Sequence, residues 1–115
     1  MSFEFLNVDV DERVTTIELD RPEVMNAINP QMHDELQAAF DAFQNDDEQF
    51  ICVVKGAGDR AFCAGSDLKA MSQAKRAQPY PANGYAGLIE RFDLNKPVIA
   101  AVDGFALGGD QARWW

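Results

Sequence analysis

The stretch RAFCAGSDLKAM, Arg60 to Met71, follows an apolar run rich in β-branched residues, FICVVKG, Phe50 to Gly56. A second run of this kind, PVIAAVDG, Pro97 to Gly104, leads into FALGGD, Phe105 to Asp110. Each run is short, continuous and bounded by glycine, the pattern of a buried strand that ends in a tight turn. Two strand-then-glycine units in one small chain decide the fold reading, and the rest of the sequence is placed around them.

Upstream, FEFLNVDV alternates apolar and polar residues, with Phe3, Phe5, Val8 and Val10 near period two. VTTIELD, Val14 to Asp20, repeats the alternation through Val14, Ile17 and Leu19, and Asp11-Glu12 between them reads as a turn. The pair predicts a β-hairpin. RPEVMNAINP, Arg21 to Pro30, is a loop ending in a helix start: Asn29 can cap free N–H groups, and Pro30 suits the first helical position. Met32, Leu36, Ala39, Phe40 and Phe43 then share one helical face, and NDDEQ ends the helix. Leu68 to Arg76 reads as helical, QPYPANGY breaks it with two prolines and Asn-Gly, and AGLIERF fits a short helix. Phe40, Phe43 and Phe50 are expected in the core. Strand, helix, strand, helix, strand is an α/β pattern.

The chain has 115 residues, 47% hydrophobic and 25% charged, an ordinary composition for one folded domain. Its formal net charge of −9 argues against nucleic-acid binding and against docking on anionic membranes. An anionic small ligand remains compatible, because main-chain N–H groups and a few local cations outweigh distant charge. Cys52 and Cys63 show neither metal spacing nor a C-x-x-C pattern, so no metal and no disulfide scaffold is expected. The start, MSFEFLNVDVDE, lacks a signal peptide's basic region and apolar core, and no run approaches the roughly twenty apolar residues of a membrane span. A cytoplasmic location is the default expectation.

A strand that ends in a glycine-rich turn before a helix presents free main-chain N–H groups. Two such turns on neighbouring strands can aim two donors at one point, as stabilising a developing oxyanion on a thioester carbonyl requires. One turn alone is more often just a turn. The pair, however, resembles the enoyl-CoA hydratase/isomerase (crotonase) superfamily: AFCAGSDLK with KPVIAAVDGFALGG, and LDRPEVMNAINPQM as a third ordered block. GYAGLIERFDLNKPVIAAV looks most like the carnitinyl-CoA dehydratase-like branch.

The resemblance implies a crotonase-like spiral of ββα units, here its N-terminal half over residues 1–109, followed by a tail, 110–115, that departs from the family. It implies an acyl-CoA thioester as ligand, with coenzyme A entering as part of the substrate and no separate cofactor. It carries the first oxyanion donor onto the main-chain N–H of Ser66 and the second onto that of Gly109. Adenine contacts fall on the backbone near Cys63 and Ala64; phosphate contact falls on Lys69, with Lys55 and Arg60 behind it. Glu23 stands where relatives often carry a basic residue, and Asp67 matches a structural aspartate. Full-length relatives are expected as homotrimers or hexamers.

Hydration of an enoyl thioester needs a base for water and an acid for the α-carbon. The family's hydratases use two glutamates; Ala112 occupies the position of the first, the second would fall beyond Trp115, and Asp110 is misplaced to substitute. A shortened or shifted reading frame is the expected explanation of DQARWW, with marginal stability of the isolated chain as its consequence. Two functional readings follow: an enoyl-CoA hydratase/isomerase family member impaired in turnover, or a non-catalytic fragment that binds acyl-CoA or associates with full-length subunits. A gene fragment that never accumulates is a third.

Other features have blander readings. KGAGDRA, Lys55 to Ala61, fits a dinucleotide fingerprint only if a helix follows it. His33, the single histidine, reads as helix packing or surface rather than catalysis. Cys63 reads as small-residue packing before nucleophile, and Cys52 as strand filler. QPYPANGY is either a lid presenting Tyr80 and Tyr85 to an acyl chain or an irregular surface loop.

Overall fold

The computed structural model describes residues 3–59, 61–65, 67, 70, 80–102 and 105–106. Within them, β1 (Leu6–Asp11) and β2 (Val14–Leu19) form the expected antiparallel hairpin, and Glu12 takes a left-handed φ of 55° in its turn. The helix α1 (Pro30–Asn45) starts where the sequence places it: the Asn29 side chain accepts the Met32 N–H at 2.8 Å, with Pro30 in the first turn. β3 (Ile51–Gly56), β4 (Ala61–Cys63), β5 (Val98–Ala101) and β6 (Phe105–Ala106) follow.

The main sheet has the order β1-β2-β3-β5, with β2, β3 and β5 mutually parallel. β4 and β6 pair parallel in a second, two-stranded sheet. The α/β expectation therefore holds, and the strands of the two glycine units are neighbours twice, as β3 with β5 and as β4 with β6.

Register explains which residues enter the core. Ile17 lies opposite Val54, and Thr15 opposite Cys52, so Thr15, Ile17, Leu19, Cys52 and Val54 share the face covered by α1. Met32, Leu36, Ala39, Phe40 and Phe43 of α1 are all buried against it. Burial pushes the Cys52 thiol up to about 12, as suits an inert strand filler.

Five expectations are corrected. Val14 is out of phase with Ile17 and Leu19, and Thr15 takes the inward position instead, donating its hydroxyl to Gln49 Oε1 at 2.7 Å. Val8 and Val10 have the core-facing parity but are exposed; they line a groove of about 200 Å³ with Phe3, Ala39, Ala42 and Phe43, between the hairpin and α1. Phe50 is 54% exposed, because it precedes the first β2–β3 pair and lies past the sheet end, under the Arg13 guanidinium. β5 is less buried than its composition predicts, with Ile99 turned outward.

AGLIERF is the fifth. Tyr85–Gly87 form only a 3₁₀ turn, with Ala86 at φ 57° and Gly87 at φ 65°. Docking on α1 overrides helix propensity here. The Ala86 N–H donates to His33 Nδ1 (3.0 Å), Asn83 N–H to Gln37 Oε1 (2.8 Å), and Arg91 Nε to the Gly87 carbonyl (2.8 Å). A side chain at Gly87 would come within 2.5 Å of the Gln37 Cα. His33 is thus a fully buried packing residue, flanked edge-on by Tyr80 and Tyr85 at 5.1 and 4.8 Å. The predicted helix over 68–76 lies outside the described residues, apart from helical Ala70.

Candidate functional site

β4 is the strand that delivers the chain to the A-G-S-D turn, and all three of its residues are hydrogen-bonded to Asn26, in a loop far upstream. Arg21 to Ile28 folds around a 3₁₀ turn, Pro22–Val24, and closes on itself through the Asn26 N–H to the Arg21 carbonyl at 2.8 Å. Met25 and Asn26 both adopt left-handed φ, 56° and 59°. Asparagine tolerates that conformation better than most side chains.

The Asn26 side chain is fully buried and works as a four-way junction. Its Oδ1 accepts the Arg21 N–H at 2.9 Å. Its Nδ2 lies 3.0 Å from the carbonyls of Ala57 and Ala61, and 3.3 Å from that of Phe62. The turn between β3 and β4 is thereby tied to the upstream loop. Gly56 makes room for it: a Cβ there would lie 2.4 Å from the Phe62 oxygen and 2.8 Å from Asn26 Nδ2.

The pairing continues along the turn. The Ile28 N–H donates to the Gly65 carbonyl, and the Asp67 N–H donates to the Ile28 carbonyl, both at 2.8 Å. Gly65 sits at φ 91°, a conformation for which glycine is suited. Asp67 accepts from Arg21 at 3.2 Å and from the Ala70 N–H at 3.0 Å. Arg21 also donates to the Ala27 carbonyl at 2.8 Å. Asp67 therefore has the structural role the sequence assigns to it.

Cys63 is fully buried, its Sγ 3.2 Å from the Asn26 carbonyl. That contact uses the thiol as a donor inside the packed turn, which favours packing over nucleophilic chemistry. Ala64 follows as a half-buried residue at the head of the turn. Ser66, Lys69, Gly109, Arg60, Asp110 and Ala112 lie outside the described residues. Lys55, the weaker phosphate candidate, is half exposed and stands 3.7 Å from Glu18. The dinucleotide fingerprint fails on topology: Ala61 opens strand β4, where a helix would have to begin.

On the other side, β4 pairs with β6 in the register Ala61↔Phe105 and Cys63↔Ala106. Ser66 and Gly109 each follow that last pair by three positions in the sequence. The two glycine-bearing segments are thus entered from adjacent parallel strands, at Cys63 and at Ala106. The roles of Arg21 and Asn26 were not legible from the sequence. A polar residue between Met25 and Ala27 was the available signal, but its partners lie more than thirty positions away.

The profile of the family described as "Enoyl-CoA hydratase/isomerase" matches residues 9–111. Among curated proteins, the chain is 46% identical over 97 residues to carnitinyl-CoA dehydratase of Proteus mirabilis, covering 84% of this chain and 37% of that one. It is 40% identical over 107 residues to the protein of that name from Salmonella enteritidis, covering 92% and 41%. Among solved structures, it superposes on carnitinyl-CoA hydratase from Mycobacterium avium with a TM-score of 0.84 at 39% identity, over 95% of this chain and 42% of the other. For enoyl-CoA hydratase from Mycobacterium tuberculosis the TM-score is 0.81 at 33% identity, over 93% and 41%. The chain spans about two fifths of the length of these relatives.

Proposed function

The chain belongs to the enoyl-CoA hydratase/isomerase family and has its crotonase-like fold, and on that premise we propose that it binds an acyl-CoA thioester and stabilises negative charge on the thioester oxygen with the main-chain N–H groups of Ser66 and Gly109. The observation that carries this reading is the bond from the Ile28 N–H to the Gly65 carbonyl. The Gly65 carbonyl and the Ser66 N–H belong to one peptide unit, and in a planar trans peptide they point in opposite directions. On the reading proposed, the Ser66 amide opposite that carbonyl is the one offered to the ligand.

The parallel β4–β6 pair supports the second half of the hole, because Ala106, three residues before Gly109, pairs with Cys63, three residues before Ser66. Main-chain donors preorganised toward developing charge act without reorganisation, and losing one typically raises the barrier by about 3–4 kcal/mol. They also bring no counterion requirement, so an anionic ligand is compatible with a net charge of −9. Cys63 and Ala64 backbone would meet the adenine, and Lys69 the phosphates.

The reaction favoured by the names of the relatives is removal or addition of water across the 2,3 bond of an acyl-CoA. Addition delivers hydroxyl to C3 and a proton to C2, through an enolate whose oxygen the two amides would hold. Ala112 offers no proton-transferring group at the position of the family's first glutamate. Binding without efficient turnover is therefore the form of the function we assign to these 115 residues.

Calorimetry with crotonyl-CoA and with coenzyme A, alongside an assay of enoyl absorbance, tests this directly. The thioester should bind more tightly than coenzyme A, with hydration at or near the background rate. Equal affinity for the two ligands would remove the oxyanion hole from the account, and rapid hydration would show that another residue supplies the base.

A further inference from the structure

We infer that Asn26 is a positioning residue for the oxyanion donor at the head of the 64–67 turn, an assignment that rests on the function proposed above. Among the described residues, the side-chain hydrogen bonds from the upstream 26–28 segment to residues 57–67 come from this carboxamide, to the Ala57, Ala61 and Phe62 carbonyls. The others are main-chain groups, the Asn26 carbonyl to Cys63 Sγ and Ile28 to Gly65 and Asp67. The carboxamide therefore fixes where the run of main-chain contacts begins. Displacement at Ala61 and Phe62 moves the following residues, including the Gly65 carbonyl, relative to Ile28.

The residue type is tightly specified. One acceptor is needed for the Arg21 N–H, and two donors shared among three carbonyls, at a backbone φ of 59°. Asparagine supplies that set on a short side chain compatible with the left-handed region. Aspartate keeps the acceptor and the shape, but turns an anionic oxygen toward three carbonyl oxygens. Alanine leaves all of them, in a buried site, without this partner.

A pair of ligands separates positioning from general support. An acyl-CoA thioester and its thioether analogue, with the carbonyl replaced by methylene, differ only in the group that the oxyanion donors touch. In the unsubstituted chain the thioester should bind about tenfold more tightly, as expected for two hydrogen bonds to its carbonyl oxygen. Asn26→Asp and Asn26→Ala should lower that ratio at least about threefold, the loss of one of the two hydrogen bonds, while thioether affinity changes by less than about twofold. Asn29→Ala, which alters only the cap of α1, should keep the ratio.

A ratio near one in the unsubstituted chain overturns the oxyanion reading itself. A large ratio there that survives both Asn26 substitutions, or a parallel loss of both ligands with the ratio kept, overturns the role of Asn26 and leaves the hole intact. Hydrogen exchange on the unsubstituted chain covers the case in which the variants do not fold. Ile28 and Asp67 amides should be protected to the level of the β2–β3 strands, and rapid exchange at both would show that the junction does not hold the turn.

Discussion

Gly56→Ala measures the closeness of packing at the junction of β3, β4 and the upstream loop. At this position the backbone is not left-handed, so an alanine has no conformational penalty and should gain about 0.4–1 kcal/mol through the unfolded chain. Against that stands sterics. The added Cβ would lie 2.4 Å from the Phe62 oxygen, 2.7 Å from the Ala61 oxygen and 2.8 Å from Asn26 Nδ2. Overpacking of this kind costs about 1–3 kcal/mol. Pushing the Asn26 amide off the Ala61 and Phe62 carbonyls adds about 1 kcal/mol for each bond weakened. The balance is a destabilisation of about 2–4 kcal/mol. In urea that corresponds to a midpoint lower by about 1–2 M. Gly58→Ala is the comparison: its φ is +79°, but its nearest neighbour is the Pro22 Cβ at 3.4 Å, so only the backbone cost of about 1–2 kcal/mol applies. Combining Gly56→Ala with Asn26→Ala should not recover stability, because two of the three contacts are main-chain carbonyls. A Gly56→Ala midpoint equal to or above that of the unsubstituted chain would refute the packing argument.

Two further outcomes follow from single contacts. Asn29→Ala removes the 2.8 Å bond to the Met32 N–H and should cost about 1 kcal/mol, while Asn29→Asp keeps an acceptor and should hold stability within experimental error; chemical denaturation distinguishes them. Cys52 has its thiol raised from 9.0 to about 12 by desolvation, so its contribution is complete below pH 9 and is lost as pH rises toward about 12, where the unfolded chain ionises first. Cys52→Val should flatten the alkaline fall in stability across that window, and an unchanged pH profile would show that the thiol is not the group responsible.

What the sequence reveals here depends on the range over which each signal acts. Asn29, Pro30 and the Met32-to-Phe43 stripe specify α1 because cap, first turn and apolar face all lie within one helix. β3 and β5 are legible as apolar runs, but which side of β5 stays open is set by what covers the sheet, and Ile99 is turned outward against its composition. Phe50 shows the same limit: its parity with Cys52 and Val54 is correct for the core, yet pairing begins one residue later. AGLIERF has helical composition, and Ala86 nonetheless takes a left-handed φ because His33 and Gln37, some fifty positions earlier, capture the segment's polar groups. Asp67 was legible from its motif, whereas its partner Arg21 was not, since no local pattern links positions 46 residues apart.

The same distinction governs which substitutions the proposed site tolerates. Donors taken from the main chain do not specify the side chain at their own position, so the serine at 66 does not by itself alter the chemistry. What specifies them is the set of groups that holds the adjoining peptides, and those reside at Asn26, Ile28, Gly56 and the Arg21–Asp67 pair. Of these, Ile28 acts through its backbone and can vary in side chain as long as its buried volume is kept, while Asn26 and Gly56 cannot, because one supplies a fixed set of donors and the other an absence of atoms. Sequence variation that leaves binding intact should therefore be permitted at the position carrying the donor and excluded at Asn26 and Gly56 upstream of it, the reverse of what proximity to the ligand would suggest.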